Sequence, residues 1–282
     1  METVANRFKI VTKLGEGSFS QVYKALDTQS GKHVALKVDS VSKDDSMLWK
    51  EYKIYMWLHA AESGELYGIP KPIYYEEIKS GNAMAMPLVG ESLDKLLIKM
   101  NDRFSLKTVL LLTIQLSRSL EFLHRHKFVH RDLKPANMAR AYSDKDPSRI
   151  YLLDYGLSTR FIQPDDKPLD YRTDLKFVGT CRYCPKAAHE GFSQSANSEL
   201  ESLIYIMVYF MQGTLPWKGK KKQTLQLKSQ WQPPGIWKPV WQIAKSTVYG
   251  DMVDWDKVRS WATELMEDMG YSDDGIFDWE LD

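Results

Sequence analysis

The chain has 282 residues, 43% of them hydrophobic and 27% charged, with a formal net charge of +1. That is enough apolar content for one large domain or two lobes, and the balanced charge excludes a global field drawing in nucleic acid or membrane. Met1 to Asn6 is short and polar rather than signal-like, and the longest apolar stretch, Leu203 to Met211, is far below the roughly 20 residues that span a bilayer. The expectation is a soluble intracellular protein, cytoplasmic or nuclear, monomeric, with no membrane or nucleic-acid partner.

Phe8 to Leu14 alternates as a strand does, with Phe8, Ile10 and Val11 facing inward. It breaks at Gly15-Glu16-Gly17-Ser18-Phe19-Ser20, and Gln21 to Ala25 resumes the pattern, so a hairpin with a Gly-rich tip is predicted. Glycine lacks a Cβ, and its backbone N–H groups can lie against phosphate oxygens; a bare hairpin turn accounts for the stretch as well. A dinucleotide-binding loop is set aside, because Val22 and Tyr23 continue a strand where that motif opens a helix. Ser30-Gly31 turns the chain into a strand over Val34 to Val38. Lys37, flanked there by apolar neighbours, needs an acidic partner or a phosphate if it is buried, or else snorkels to water from a strand edge.

Met47 to His59 has helical periodicity through Leu48, Tyr52, Tyr55 and Met56, with Glu51 on the same side, from which it could reach Lys37. Two more strands are expected at Ile69 to Ile78 and Ala83 to Pro87, before Leu88-Val89-Gly90 loosens the chain and Ser92 to Met100 turns helical. A boundary here divides a small strand-rich lobe, residues 1–89, from a large helical one, residues 90–282. A cleft between lobes is a usual ligand site.

Phe104 to His124 is a strong helix, striped by Val109, Leu112, Leu116, Leu120 and Leu123. The polar loop His130 to Asn137 follows, then a short β-like run, Ile150 to Leu153, and Asp154-Tyr155-Gly156. A polar loop between apolar elements is where a scaffold places chemistry. Asp132, Lys134, Asn137 and Asp154 are expected to point into one space, and two carboxylates, an amide and an ammonium suit a hard metal ion bound to phosphate. Leu157 to Gly179 is irregular and charged, the length of a functional or mobile loop. Cys181 and Cys184 form a C-x-x-C pair, but no second pair stands at zinc-site spacing, so two reduced thiols in a loop are expected. Glu199 to Met211 is the most apolar helix and the expected buried axis of the second lobe. Lys218 to Lys222 carries four lysines, either an anion site or a solvated loop, and the tryptophans of the last third should pack between helices.

Gly15-x-Gly17 with Val22, Val34-Ala35-Leu36-Lys37, helical Glu51, His130-Arg131-Asp132 with Asn137, and Asp154-Tyr155-Gly156 stand in the order of the protein kinase signature, which they resemble. Gly179-Thr180-Cys181-Arg182-Tyr183, Ala188-His189-Glu190-Gly191, Gln194-Ser195, Leu200-Glu201-Ser202-Leu203 and Leu215-Pro216-Trp217 narrow the resemblance to the casein kinase 1 family, from about Phe8 to the last residues. The vaccinia-related kinases, which share D-Y-G, are a neighbouring branch. The resemblance implies an α+β, bilobal kinase fold, with a small antiparallel-sheet N-lobe carrying one main helix and a large helical C-lobe. It implies a serine/threonine kinase using ATP and Mg²⁺ on protein substrates with acidic or phosphorylated residues near the target. In its terms Asp132 takes or orients the hydroxyl proton, Lys134 steadies the phosphoryl group, and Asn137 and Asp154 hold the metal. Gly15 and Gly17 cover the phosphates, and Lys37 contacts them and pairs with Glu51. Leu14, Val22, Ala35 and Leu153 surround the adenine, with Met86 as gatekeeper and Leu88 and Val89 as hinge. Arg182, Gly219 and Lys228 match the positions of an anion pocket.

Four departures stand out. Ser20 replaces the third loop glycine. Glu199 stands where kinases place an Asp that ties the central loop to the buried helix, and its extra methylene predicts a shifted tie. Ala139 replaces Leu beneath the adenine and predicts a roomier pocket. Ala196-Asn197-Ser198 lacks the family's basic pair. Glu199 and Ala139 leave a pseudokinase or nucleotide-binding interaction module as the alternative. Thr173 and Thr180 lie in or beside the activation segment, where the resemblance implies no required phosphorylation and hence constitutive activity.

Overall fold

Strand alternation organises the first third of the chain in the structure, a computed structural model that describes residues 3–17, 20–61, 68–142 and 147–281. Six antiparallel strands, β1 (Thr3–Val4), β2 (Phe8–Glu16), β3 (Gln21–Asp27), β4 (His33–Asp39), β5 (Tyr74–Ile78) and β6 (Gly81–Pro87), lie in the order β1-β2-β3-β4-β6-β5. Period-two alternation gives β4 two uses. Val34 and Leu36 join Val4, Phe8, Ala25, Ala83 and Ala85 in a small core on one face, leaving Ala35 and Lys37 on the other. Helix α1 (Met47–Ala61) follows β4 and buries Leu48, Ile54, Tyr55 and Leu58 in the main core.

Two expectations need correction here. Val11 is half exposed and does not face inward. The strand expected from Ile69 begins only at Tyr74, because Pro70 and Pro72 lack the N–H groups that a ladder requires. The Gly-rich tip, Ser18 and Phe19, lies outside the described residues.

The rest is mainly helical: α2 (Leu93–Lys99), α3 (Leu106–Arg125), α4 (Lys186–His189), α5 (Ala196–Gln212), α6 (Thr224–Gln230), α7 (Lys238–Ser246) and α8 (Trp255–Asp268). Helix α3 starts two residues later than expected, because Ser105 accepts from Thr108 N and caps it. Helix α5 starts earlier, at the Ser195 capping box, and every residue from Ser198 to Phe210 is buried. Trp217, Trp231 and Trp241 pack around Tyr205 of α5, and Trp237 packs on Trp261, so these aromatics are core. Two short ladders, β7 (Phe128–Val129) with β10 (Thr159–Arg160) and β8 (Met138–Arg140) with β9 (Ile150–Leu152), bracket the polar loop. Among the described residues, no helix is long and apolar enough to cross a membrane.

Candidate active site

The strand face that Lys37 shares with Ala35 turns toward α1. Lys37 Nζ donates to Glu51 Oε2 at 2.6 Å and to Asp154 Oδ1 at 2.8 Å. The ammonium therefore meets two acids and does not snorkel to water. Burial opposes its charge, but the two carboxylates outweigh that and hold its pKa above the ordinary value. Burial pushes Glu51 up to about 7 against the pull of Lys37, whereas Lys37 holds Asp154 below the usual range despite desolvation.

The polar loop hangs between β7 and a one-turn 3₁₀ helix at Pro135–Asn137. Its backbone is tied to α5 by Glu199, whose Oε1 accepts from His130 N and Arg131 N, both at 2.7 Å. The longer side chain reaches both amides, and its second oxygen meets His124 Nε2 at 2.8 Å. Burial works against the Glu199 charge, yet His124 and the amides hold its pKa below the ordinary value. Asp132 N donates to His130 Nδ1 at 3.2 Å, and His130 Nε2 lies 2.9 Å from Leu153 O. A proton on Nε2 satisfies both contacts.

Both carboxylate oxygens of Asp132 are engaged. Oδ2 accepts from Lys134 Nζ at 2.5 Å, and Oδ1 from Thr180 Oγ1 at 2.7 Å. Asn137 Nδ2 donates to Asp132 O at 3.0 Å, which turns its amide oxygen away from that carbonyl. In the sequence Thr180 is legible only as a residue in or beside the activation segment, where no phosphorylation is required. Its place on Asp132 depends on Gly179, whose φ is +92° and whose Cβ, if present, would stand 2.5 Å from Arg131 O. A glycine directly before a threonine in the activation segment was the available signal.

Lys37, Glu51, Asp132, Lys134, Asp154 and Thr180 line one cleft of about 710 Å³, with Gly17 and Ser20 at its rim. Among the described residues, no group of three or more His, Cys, Asp or Glu side chains could hold a metal ion alone. One carboxylate and one amide, Asp154 and Asn137, do suit a magnesium ion that takes its remaining oxygens from phosphate and water.

The residues expected at the adenine end come from neighbouring strands. Ala35 pairs with Met86 and Val22 with Lys37. Leu14 sits at a bulge in β2, exposed, and Gly15 and Gly17 are exposed beside it. Leu88, Val89 and Leu153 are half-buried. Ala139 is buried, 1% exposed, in the β8–β9 ladder opposite Tyr151.

Of the expected anion residues, Arg182 and Lys228 both meet Trp217, two residues before Gly219, the first through its carbonyl and the second through its ammonium. Arg182 is half-buried over the rings of Tyr183 and Tyr209, and Gly219 lies in the exposed loop with φ +79°. Lys228 is 1% exposed, with Nζ donating to Cys181 O at 3.0 Å and Cys184 O at 2.5 Å and lying 3.2 Å from His189 Nε2. Such an enclosed ammonium pins the 181–184 turn to α6 and is not presented to an anion. Both cysteines are free thiols, and burial pushes Cys184 up to about 11, an inert environment for redox chemistry.

A carboxylate oriented by an ammonium and a hydroxyl, beside a second carboxylate, an amide and a paired lysine, is equipped to position a phosphate and deprotonate an alcohol. Comparisons with known proteins agree. A protein kinase domain profile matches residues 8–274. A probable casein kinase I homolog of Encephalitozoon cuniculi is 32% identical over 99% of this chain and 95% of its own length. The chain therefore belongs to the protein kinases, in the casein kinase 1 family.

Proposed function

We propose that this protein transfers the γ-phosphoryl group of ATP to serine and threonine hydroxyls of proteins, favouring acidic or already phosphorylated sites. The observation that carries this reading is the engagement of both Asp132 oxygens, by Lys134 and Thr180, facing the Lys37–Asp154 pair in one cleft. Asp132 is the base for the attacking hydroxyl, held in one orientation by Thr180. Lys134 steadies the phosphoryl group in transit, and its D-L-K-P-x-N setting supports serine or threonine over tyrosine. Lys37, held by Glu51, contacts the α and β phosphates. Asn137 and Asp154 are the protein ligands for Mg²⁺, which when bound neutralises phosphate charge. Gly15 and Gly17 lie over the phosphates. Leu14, Val22, Ala35, Met86, Leu88, Val89 and Leu153 surround the base, at the join of residues 1–89 with residues 90–282.

A preference for negative charge near the target rests on Arg182, Lys218 and the lysines after Gly219. The Arg182 guanidinium and Lys218 ammonium both stand over the Tyr209 ring, and residues 218–222 are exposed. Guanidinium and ammonium groups bind phosphate through charge-assisted hydrogen bonds.

Phosphate transfer from Mg-ATP to an array of Ser, Thr and Tyr peptides, with and without an upstream phosphate, tests the reading. Asp132→Asn should lower kcat by about 100-fold or more while leaving the fold intact. Equal activity in that variant would remove Asp132 as the base, and equal transfer to tyrosine would remove the Ser/Thr assignment.

A further inference from the structure

Behind the Lys37–Glu51 pair lies a buried polar joint that the roles above do not use. Asp39 closes β4 two residues beyond Lys37, on the same strand face. Its Oδ2 accepts from Ser46 Oγ at 2.5 Å, and its Oδ1 from Asn82 Nδ2 at 2.8 Å and Asn82 N at 3.1 Å. Ser46 immediately precedes α1 and itself accepts from Trp49 N at 3.0 Å, capping the helix. Asn82 faces Asp39 in the β4–β6 ladder, donates also to Val41 O, and accepts from Tyr75 Oη. Asp39, Ser46 and Asn82 are 6%, 0% and 0% exposed. The close approach depends on Gly81, where φ is +136° and a Cβ would stand 2.0 Å from Asp39 O.

A carboxylate this deep is costly unless donors meet its lone pairs, and here three converge from α1 and β6. The Ser46 hydroxyl serves two ends at once, donating to the strand and accepting from the helix. Strand and helix are thus tied twice, at Asp39–Ser46 and at Lys37–Glu51. Core packing of Leu48, Ile54, Tyr55 and Leu58 holds α1 as a body, and the second tie fixes its N-terminal end beside the strand, where displacement of about 1 Å is enough to impair a positioned reaction. Glu51 lies about 7.5 Å along the helix axis from Ser46, close enough for the first tie to set its height.

We infer that Asp39, Ser46 and Asn82 are positioning residues that hold α1 where Glu51 meets Lys37. This rests on the proposed roles of Lys37 and Glu51 in nucleotide binding.

The test uses the full chain as wild type, Ser46→Ala, Ser46→Thr, Glu51→Gln, Lys37→Met and the Ser46→Ala/Glu51→Gln double variant. KM for ATP, kcat, and Kd for a non-hydrolysable ATP analogue with Mg²⁺ are measured for each. Ser46→Ala should raise KM and Kd roughly tenfold, with a smaller change in kcat, and Ser46→Thr should restore both. In the Glu51→Gln background, Ser46→Ala should add less than about twofold to Kd, because it acts through Glu51. The same tenfold loss in both backgrounds, or unchanged nucleotide affinity in folded Ser46→Ala, overturns the inference. Should Ser46→Ala not fold, Asp39→Asn, which keeps the side-chain shape, enters the same cycle with the same criteria. Lys37→Met separates the two levels. If it keeps full affinity and activity, the site assignment fails and the inference with it. If it loses both while Ser46→Ala behaves as wild type, only the positioning role fails.

Discussion

Glu51 is a carboxylate placed where water does not reach, and its neighbours only partly offset the cost of its charge. Burial raises its pKa from the ordinary 4.5 to about 7. The folded state therefore holds a proton here that the unfolded chain releases, so stability falls as pH rises from about 4.5 to about 7. Urea unfolding of the nucleotide-free protein across that window should show the decline, and Glu51→Gln should flatten it. An identical slope in the variant would place the titration elsewhere. At this scale the sequence was legible for residue type and order, as with Lys37, Glu51, Asp132 and Asp154. It was less so for side-chain reach. Glu199 is legible in the sequence only as an acid one methylene longer than usual, and its contacts with His130, Arg131 and His124 together are not.

At the level of elements, α6 and the turn after Thr180 act through Lys228. Its ammonium satisfies the carbonyls of Cys181 and Cys184, so Lys228→Ala leaves both without their donor. The expected cost is about 2–3 kcal/mol, with activity lost equally on phospho-primed and unprimed peptides. Arg182→Ala should instead hurt primed peptides more, since its guanidinium is half-buried on two rings rather than capped by carbonyls. A primed-specific loss for Lys228→Ala would return it to the anion site. No period in the sequence distinguishes these two cations. Lys228 sits in a short helix beside a lysine-rich loop, and only the packing of α6 against α4 and the 181–184 turn puts it inside. Element ends instead follow local chemistry that periodicity does not report: Pro70 and Pro72 delay β5, and the caps at Ser105 and Ser195 move α3 and α5.

Across the whole molecule, the Lys37–Asp154 bridge joins the sheet to the segment following β9. Ligand binding at that junction should stabilise both parts together. Mg-ATP at about 100 times its Kd adds about 2.7 kcal/mol, a rise of roughly 5 °C in Tm. Thermal unfolding should show that rise in wild type and a much smaller one in Asp154→Asn. No rise in wild type would argue against nucleotide in this cleft.

The sequence by itself determined the kinase signature, the two kinds of architecture and the residues that meet in the cleft, because ordered motifs and hydrophobic periodicity are local properties of a chain. Tertiary structure decided the relations among residues far apart in sequence. Thr180 orients Asp132 across 48 positions, Glu199 reaches His130 across 69, and Asp39 joins Ser46 to Asn82. Each is a hydrogen bond whose donor and acceptor become partners only once the folded backbone has brought them together.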